Sequence, residues 1–153
     1  MADGLPRALR ENALFLAART AAAVTQRYRD ALAAAGLADL GAAELAVLAA
    51  LEDGDAGDHP SSLAKALHYE KSTLSPILLH LKEAGLVLQE RDPRDARAVR
   101  LTITRKGSRR RKEADEVLAR VRDELFAGLS KKAVRHWSEV CEAMLVAHTP
   151  PRS

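Results

Sequence analysis

Residues 61–107 constrain the fold most, because the hydrophobic period changes there from helical to alternating. Leu74, Ile77, Leu78 and Leu81 recur at threes and fours, and Gly85 then supplies a stop signal. Beyond it, Val99, Leu101 and Ile103 point one way while Arg100, Thr102 and Thr104 point the other, as in a half-buried strand. Residues 86–91 are its expected partner. Asp92-Pro93 fits the first two positions of a tight turn, with proline presetting its own dihedral. Upstream, Pro60-Ser61-Ser62 is a cap signal for a short helix over 63–67, and His68-Tyr69-Glu70 turns the chain into a further helix ending near residue 84. Pro76 would disrupt a helix interior, so that helix is expected to start near Ser72, which puts the proline at about its first turn.

The flanks read as helix. Leu9, Ala13, Leu16, Ala17, Val24, Tyr28, Ala31, Leu32 and Ala35 predict one long helix over 8–35, ended by Gly36. Leu45, Val47, Leu48 and Leu51 mark a second, over 41–51. The loop after it, EDGDAGDHP, is superficially similar to a calcium loop. Gly57 and Asp58 stand where such a loop wants a carboxylate and then glycine, and Ala64 replaces its final glutamate, so a surface turn is expected. Two amphipathic helices close the chain. One carries Ala114, Val117, Leu118, Val121, Leu125 and Phe126; the other carries Val134, Trp137, Val140, Cys141, Met144 and Leu145. A small helix-hairpin core cannot cover both stripes, so a homodimer zipped through the two ends of the chain is expected.

The fold class is therefore mainly α (α+β). Residues 1–35 read as an N-terminal dimerisation helix, 36–107 as a nucleic-acid-binding lobe and 108–153 as C-terminal dimerisation helices. Ala and Leu supply the apolar content, and only Phe15, Tyr28, Tyr69, Phe126 and Trp137 are aromatic, which favours close-packed helices over a β-sandwich. A single cysteine, Cys141, rules out an intramolecular disulfide and any multi-cysteine metal site. The N-terminal stretch has Arg10, Glu11 and Arg19 around a short apolar run, unlike a secretory signal or a membrane span, so a cytoplasmic location is expected.

Net charge is only +3, yet residues 91–112 hold ten of the 24 Lys/Arg and two of the 21 Asp/Glu. A concentrated cationic strip on a near-neutral body suits a polyanion, and double-stranded DNA is the expected partner. The helix from Ser72 presents Ser72, Thr73, Ser75 and His80 away from its apolar face, with Lys71 at its start. Hydroxyls near a helix N-terminus can reach phosphates and base edges, although the same residues also cap helices regardless of function. Arg94 and Arg97 project from the hairpin, where a flexible arginine can enter a narrow minor groove. Asp95 is expected to hold the Arg97 guanidinium. Arg105, Lys106, Arg109, Arg110, Arg111 and Lys112 sit at a helix start, where cations oppose the helix dipole. Phosphate contact by Arg105 and Lys106 would offset that cost, with the other four left solvated.

The stretch STLSPILLHLKEAGLVLQERDPRDARAVRLTITRKG resembles the MarR family of bacterial winged-helix regulators, which commonly show a helix, then GLV, then R-x-DP-x-D-x-R. The long first helix and the two closing helices fit as well. The resemblance implies a winged helix-turn-helix lobe and a homodimer on a pseudo-palindromic operator, with a recognition helix in each major groove and a wing in each adjacent minor groove. It also implies a repressor released by a small-molecule effector, bound between the lobe and the dimerisation helices. Arg19, Tyr28, His68 and Tyr69 are the candidates for that pocket. The T-L-S-P-I-L-L stretch is similar to the organic-hydroperoxide-sensing branch, whose reactive cysteine would fall near Leu14; no cysteine stands there.

Two rival readings stand beside this one. An enzyme would need a catalytic constellation, but the chain has no HExxH, no phosphate-binding GxxxxGK[ST] and no Gly-rich dinucleotide loop. Its five histidines, His59, His68, His80, His136 and His148, lack metal-ligand spacing. No cofactor is expected. A winged-helix protein-interaction module without direct DNA reading is the second rival, separable by the salt dependence of binding.

Overall fold

The computed structural model describes residues 4–93, 95 and 98–147. Seven helices and one hairpin run in the order α1 (Arg7–Arg10), α2 (Ala13–Ala34), α3 (Ala42–Asp53), α4 (Pro60–Ala66), α5 (Lys71–Glu83), β1 (Val87–Arg91), β2 (Val99–Ile103), α6 (Arg105–Leu125) and α7 (Lys131–Ala147). The hairpin is antiparallel, with Val87 opposite Ile103 and Gln89 opposite Leu101.

The first helix expected from periodicity is two helices. Asn12 interrupts it, its Oδ1 accepting from the Phe15 N–H to cap α2. An asparagine side chain competes well for a helix-start amide, and this local bond wins over continuity. The short helix α4 starts at Pro60 instead of residue 63. Proline at the first helical position sacrifices only an amide that would have no intrahelical partner. Helix α5 starts at Lys71, one residue early, so Pro76 stands in its second turn and not its first. The Ser72 carbonyl, four residues back, thereby loses its usual amide partner.

The core forms where α3, α4, α5 and the hairpin meet α6. Leu48, Leu63, Leu81, Leu86, Val47 and Val87 are fully buried in it, and all four apolar positions of α5 face inward. Leu101 is buried while Arg100 and Thr102 are exposed, as strand alternation requires. Leu32 at the end of α2, with Leu37 and Leu40, anchors the N-terminal arm to this core. Helix α2 also runs along α6, where Arg27 pairs with Glu124.

Helix α7 differs from the rest. Among its residues none is buried, and Trp137, Val140, Met144, Leu145 and Val146 stand exposed. Its apolar stripe is thus solvent-exposed among the described residues. No helix of the described residues is long and apolar enough to cross a membrane.

Candidate nucleic-acid interface

Helices α4 and α5 are joined by a tight turn, and the geometry of that turn aims α5. The Tyr69 N–H donates to the Ala64 carbonyl at 2.8 Å, and the His68 N–H to Lys65 at 3.3 Å. His68 carries the turn with φ of 53°, among the described residues the one non-glycine in the left-handed region. Helix α5 follows with Lys71, Ser72, Thr73 and Ser75 all exposed on its outer side.

These four hydroxyl and ammonium groups are not equivalent. Ser75 Oγ donates to the Lys71 carbonyl at 2.7 Å, so its proton is engaged within the helix and its lone pairs are what it offers outward. His80 is set apart: its Nε2 lies 2.9 Å from the Asp39 carbonyl, turning the ring toward the loop between α2 and α3. Leu79, missed in the sequence reading, is 50% exposed on the outer face of α5. Its signal was available, since position 79 falls outside the inward set of 74, 77, 78 and 81.

The wing lies beside this helix. Lys71, Leu74, Ser75 and Leu78 of α5 share one cleft with Ala98 and Val99 of the hairpin, Ser61 of α4 and its N-cap residue His59, a space of about 490 Å³. The wing loop is closed by the Asp92 N–H donating to the Ala98 carbonyl at 3.0 Å, and by the Ala98 N–H donating to Asp95 at 2.9 Å. Arg94 and Arg97, the expected minor-groove arginines, lie outside the described residues, and with Arg97 so does the expected partner of Asp95.

The cationic strip divides by its internal partners. Arg100 pairs with Asp58, whose carboxyl is held below the usual carboxylate range by that hydrogen bond. Arg110 pairs with Asp39, while Arg111 pairs with Glu52 and Asp115. Arg110 and Arg111 were expected to be solvated; instead they are 23% and 19% exposed and fasten α6 to α3 and its preceding loop. The physical reason is spacing, because helical neighbours cannot all point outward and these two fall on the side facing the lobe. Lys106 reaches back with Nζ 2.7 Å from the Ala84 carbonyl, where a cation complements the C-terminal end of α5. Arg105 and Arg109 are exposed at the start of α6 and line an open groove with Thr104, Ser108 and Lys112.

The four candidate effector residues are not brought together. His68 lines an open cavity of about 420 Å³ with Phe126, Trp137, Ser138, Cys141 and Leu145, at the junction of the lobe with α6 and α7. Arg19, Tyr28 and Tyr69 are not among its walls. Tyr69 packs against the core, and its hydroxyl titrates above the usual range because it is buried and near the Glu44 charge. Arg19 is exposed on α2 and Tyr28 is half-buried there. Leu14, where the hydroperoxide-sensing branch would carry cysteine, is 78% exposed. Cys141 is half-buried on α7.

Comparison with known proteins gives one family match and one fold. Residues 38–98, from the end of the N-terminal arm to the loop before β2, match the model of the MarR family. The chain is similar to PcaV, a transcriptional regulator from Streptomyces coelicolor solved in complex with its natural ligand. The two share 22% identity and a TM-score of 0.81, over 91% of this chain and 95% of that one. CouR from Rhodococcus jostii, solved bound to p-coumaroyl-CoA, gives 22% identity and a TM-score of 0.77 over 97% and 99%. The M. tuberculosis regulator MOSR, solved with DNA, gives 25% identity and a TM-score of 0.71 over 90% and 99%. The terminal helices thus belong to the shared fold as much as the lobe does.

Proposed function

We propose that this chain, whose residues 38–98 match the MarR family model, is a non-enzymatic DNA-binding regulator that acts as a homodimer. In this reading it is a ligand-responsive repressor on a pseudo-palindromic operator. The observation that carries the reading is the shared cleft between the start of α5 and the base of the wing, which puts a helix N-terminus and a hairpin side by side on one surface. Helix α5 enters the major groove with Lys71 on phosphate and Ser72, Thr73 and Ser75 near base edges. Leu79 meets thymine methyl groups. Arg94 and Arg97 enter the minor groove, with Asp95 orienting Arg97. Arg105 contacts phosphate, and Lys106 joins it by exchanging the Ala84 carbonyl for a phosphate oxygen. His80 serves by fixing the back of α5 to the Asp39 loop.

The bare stripe on α7 supports the dimer. A second copy laid against it would cover the exposed apolar side chains of Trp137, Val140 and Val146. The same partner would add a wall to the cavity beside His68 and Trp137, the place proposed for a small apolar or aromatic effector. Arg19, Tyr28 and Tyr69 reach such an effector only if the partner or a shift of α2 brings them in. The division at residues 35 and 107 follows from this arrangement: a reading lobe between two dimerising ends.

The test is selection of duplex DNA by the purified protein, followed by affinity measurement at several salt concentrations. Two half-sites about one helical turn apart are expected. Log affinity should fall with log salt by about 0.9 per phosphate contact. Arg94→Ala and Arg97→Ala should weaken binding and leave the dimer intact. Loss of sequence preference altogether, with salt-insensitive binding to proteins instead, would favour an interaction module.

A further inference from the structure

The base of the wing is fastened to the start of α4 by one histidine. His59, the residue before Pro60, holds its Nδ1 2.8 Å from the Val99 carbonyl of β2. A carbonyl can only accept, so Nδ1 carries the proton in this contact. The other ring nitrogen, Nε2, then faces two carboxylates: Asp58 Oδ1 at 3.5 Å and Asp92 Oδ2 at 3.4 Å. Asp92 is the residue that leaves β1, and its side chain is only 12% exposed. Asp58 shares its second oxygen with Arg100 of β2, and its carbonyl accepts from the Leu101 N–H at 2.7 Å. Lys71 of α5 stands on the same cleft as His59. Among the described residues these are the charged groups around the ring: two carboxylates in reach of Nε2, Arg100 beyond one of them and Lys71 across the cleft.

A neutral ring in this place aims a lone pair at two acceptors, whereas an imidazolium donates to Val99 on one side and to Asp58 and Asp92 on the other. We infer that His59 is a positioning residue for the wing, its imidazolium clasping Asp58 and Asp92 and so fixing the hairpin against α4 and α5. It acts through the wing, so the inference rests on the DNA-binding reading only for its effect on affinity. The charged form of the ring tightens the clasp on the base of the hairpin. Phosphodiesters do not titrate between pH 8 and pH 6, so a change in affinity comes from the protein.

Two readouts on the full chain test it. In the free protein, amide hydrogen exchange of Val99 and Leu101, corrected for intrinsic base catalysis, should slow by about threefold from pH 8 to pH 6, the size of one partly exposed ion pair. His59→Gln keeps a donor for Val99 but cannot carry the charge, so its protection should not vary with pH; Asp92→Asn should flatten the profile in the same way. Affinity for the selected operator should rise about threefold over the same interval in the parent protein and stay flat in His59→Gln. Equal pH profiles for the parent and His59→Gln in the exchange experiment overturn the inference. If the chain retains no operator at any pH, the DNA-binding reading fails, while the exchange data still decide the clasp.

Discussion

Gly107, in the first turn of α6, packs against the carbonyl of Leu86 so closely that a methyl group there would lie 2.3 Å from the oxygen. The contact closes the junction where α5 ends, the hairpin begins and returns, and α6 starts. Thr104 completes it. Its N–H donates to Leu86 at 3.0 Å, its Oγ1 donates to Gly85 at 2.8 Å, and the same oxygen accepts from the Gly107 N–H at 2.9 Å. The spacing Thr104-Arg105-Lys106-Gly107 therefore has a mechanical meaning: a cap and, three residues on, the one side chain small enough for the approach.

Gly107→Ala should accordingly cost about 1–3 kcal/mol, because the obstacle is the Leu86 backbone, which cannot swing aside. Thr104→Val, which removes the cap but keeps the shape, should cost about 1 kcal/mol. Urea denaturation with a fitted midpoint and slope measures both. A Gly107→Ala protein with an unchanged midpoint would mean that the junction is looser than described.

Acid should weaken the seam between α3 and α6. The Glu52 carboxyl is held below its ordinary value by the Ser108 hydroxyl, then by Arg111. A depressed carboxylate contributes stability that is present above its unfolded value and lost as pH falls through its folded one. Stability should therefore drop on the acid side of the usual glutamate range. Glu52→Gln should be less stable at neutral pH and show a shallower acid slope, as read from urea unfolding between pH 7 and pH 3.

Charge on the bare face of α7 should separate the copies without unfolding them. Val140→Glu puts a carboxylate into the exposed apolar face of α7 on which the proposed second copy would lie. Dimer dissociation constants should rise by about 30-fold or more, the effect of losing roughly 2 kcal/mol at an interface centre. Sedimentation over a concentration series gives the constant, and far-ultraviolet circular dichroism should stay unchanged. A variant that remains as tightly paired as the parent places the interface elsewhere.

Phosphate and base contacts should separate in the salt series. Arg105→Ala should weaken binding to every duplex alike and lower the salt slope by about 0.9. Leu79→Asn should leave that slope alone and relax the preference at one base pair of each half-site, by about 1–3 kcal/mol. Replacing thymine by uracil at that position should weaken the parent protein and not the variant. A flat response to uracil at every thymine removes Leu79 from base reading.

Local chemistry was enough to predict the elements. Four leucine or isoleucine positions at helical spacing fix the inner face of α5, alternation from Val99 to Ile103 fixes a strand, and Gly85 fixes the stop between them. Each depends on neighbours only a few residues away, which is why these expectations transferred almost unchanged. Where they slipped, a side chain competed locally: Asn12 capped a new helix inside the expected one, and Pro60 opened α4 early. Partners distant in sequence were decided by packing. Nothing near Arg110 or Arg111 announces Asp39 or Glu52, some sixty to seventy residues away, and nothing near His59 announces Asp92 and Val99. A cationic run thus looked like one outward strip, while the fold turned part of it inward as fasteners and left Arg105 and Arg109 outside. Sequence specifies what each short segment can become; only the folded chain brings charges from separate segments within reach, and that distance decides which of them remain for a partner.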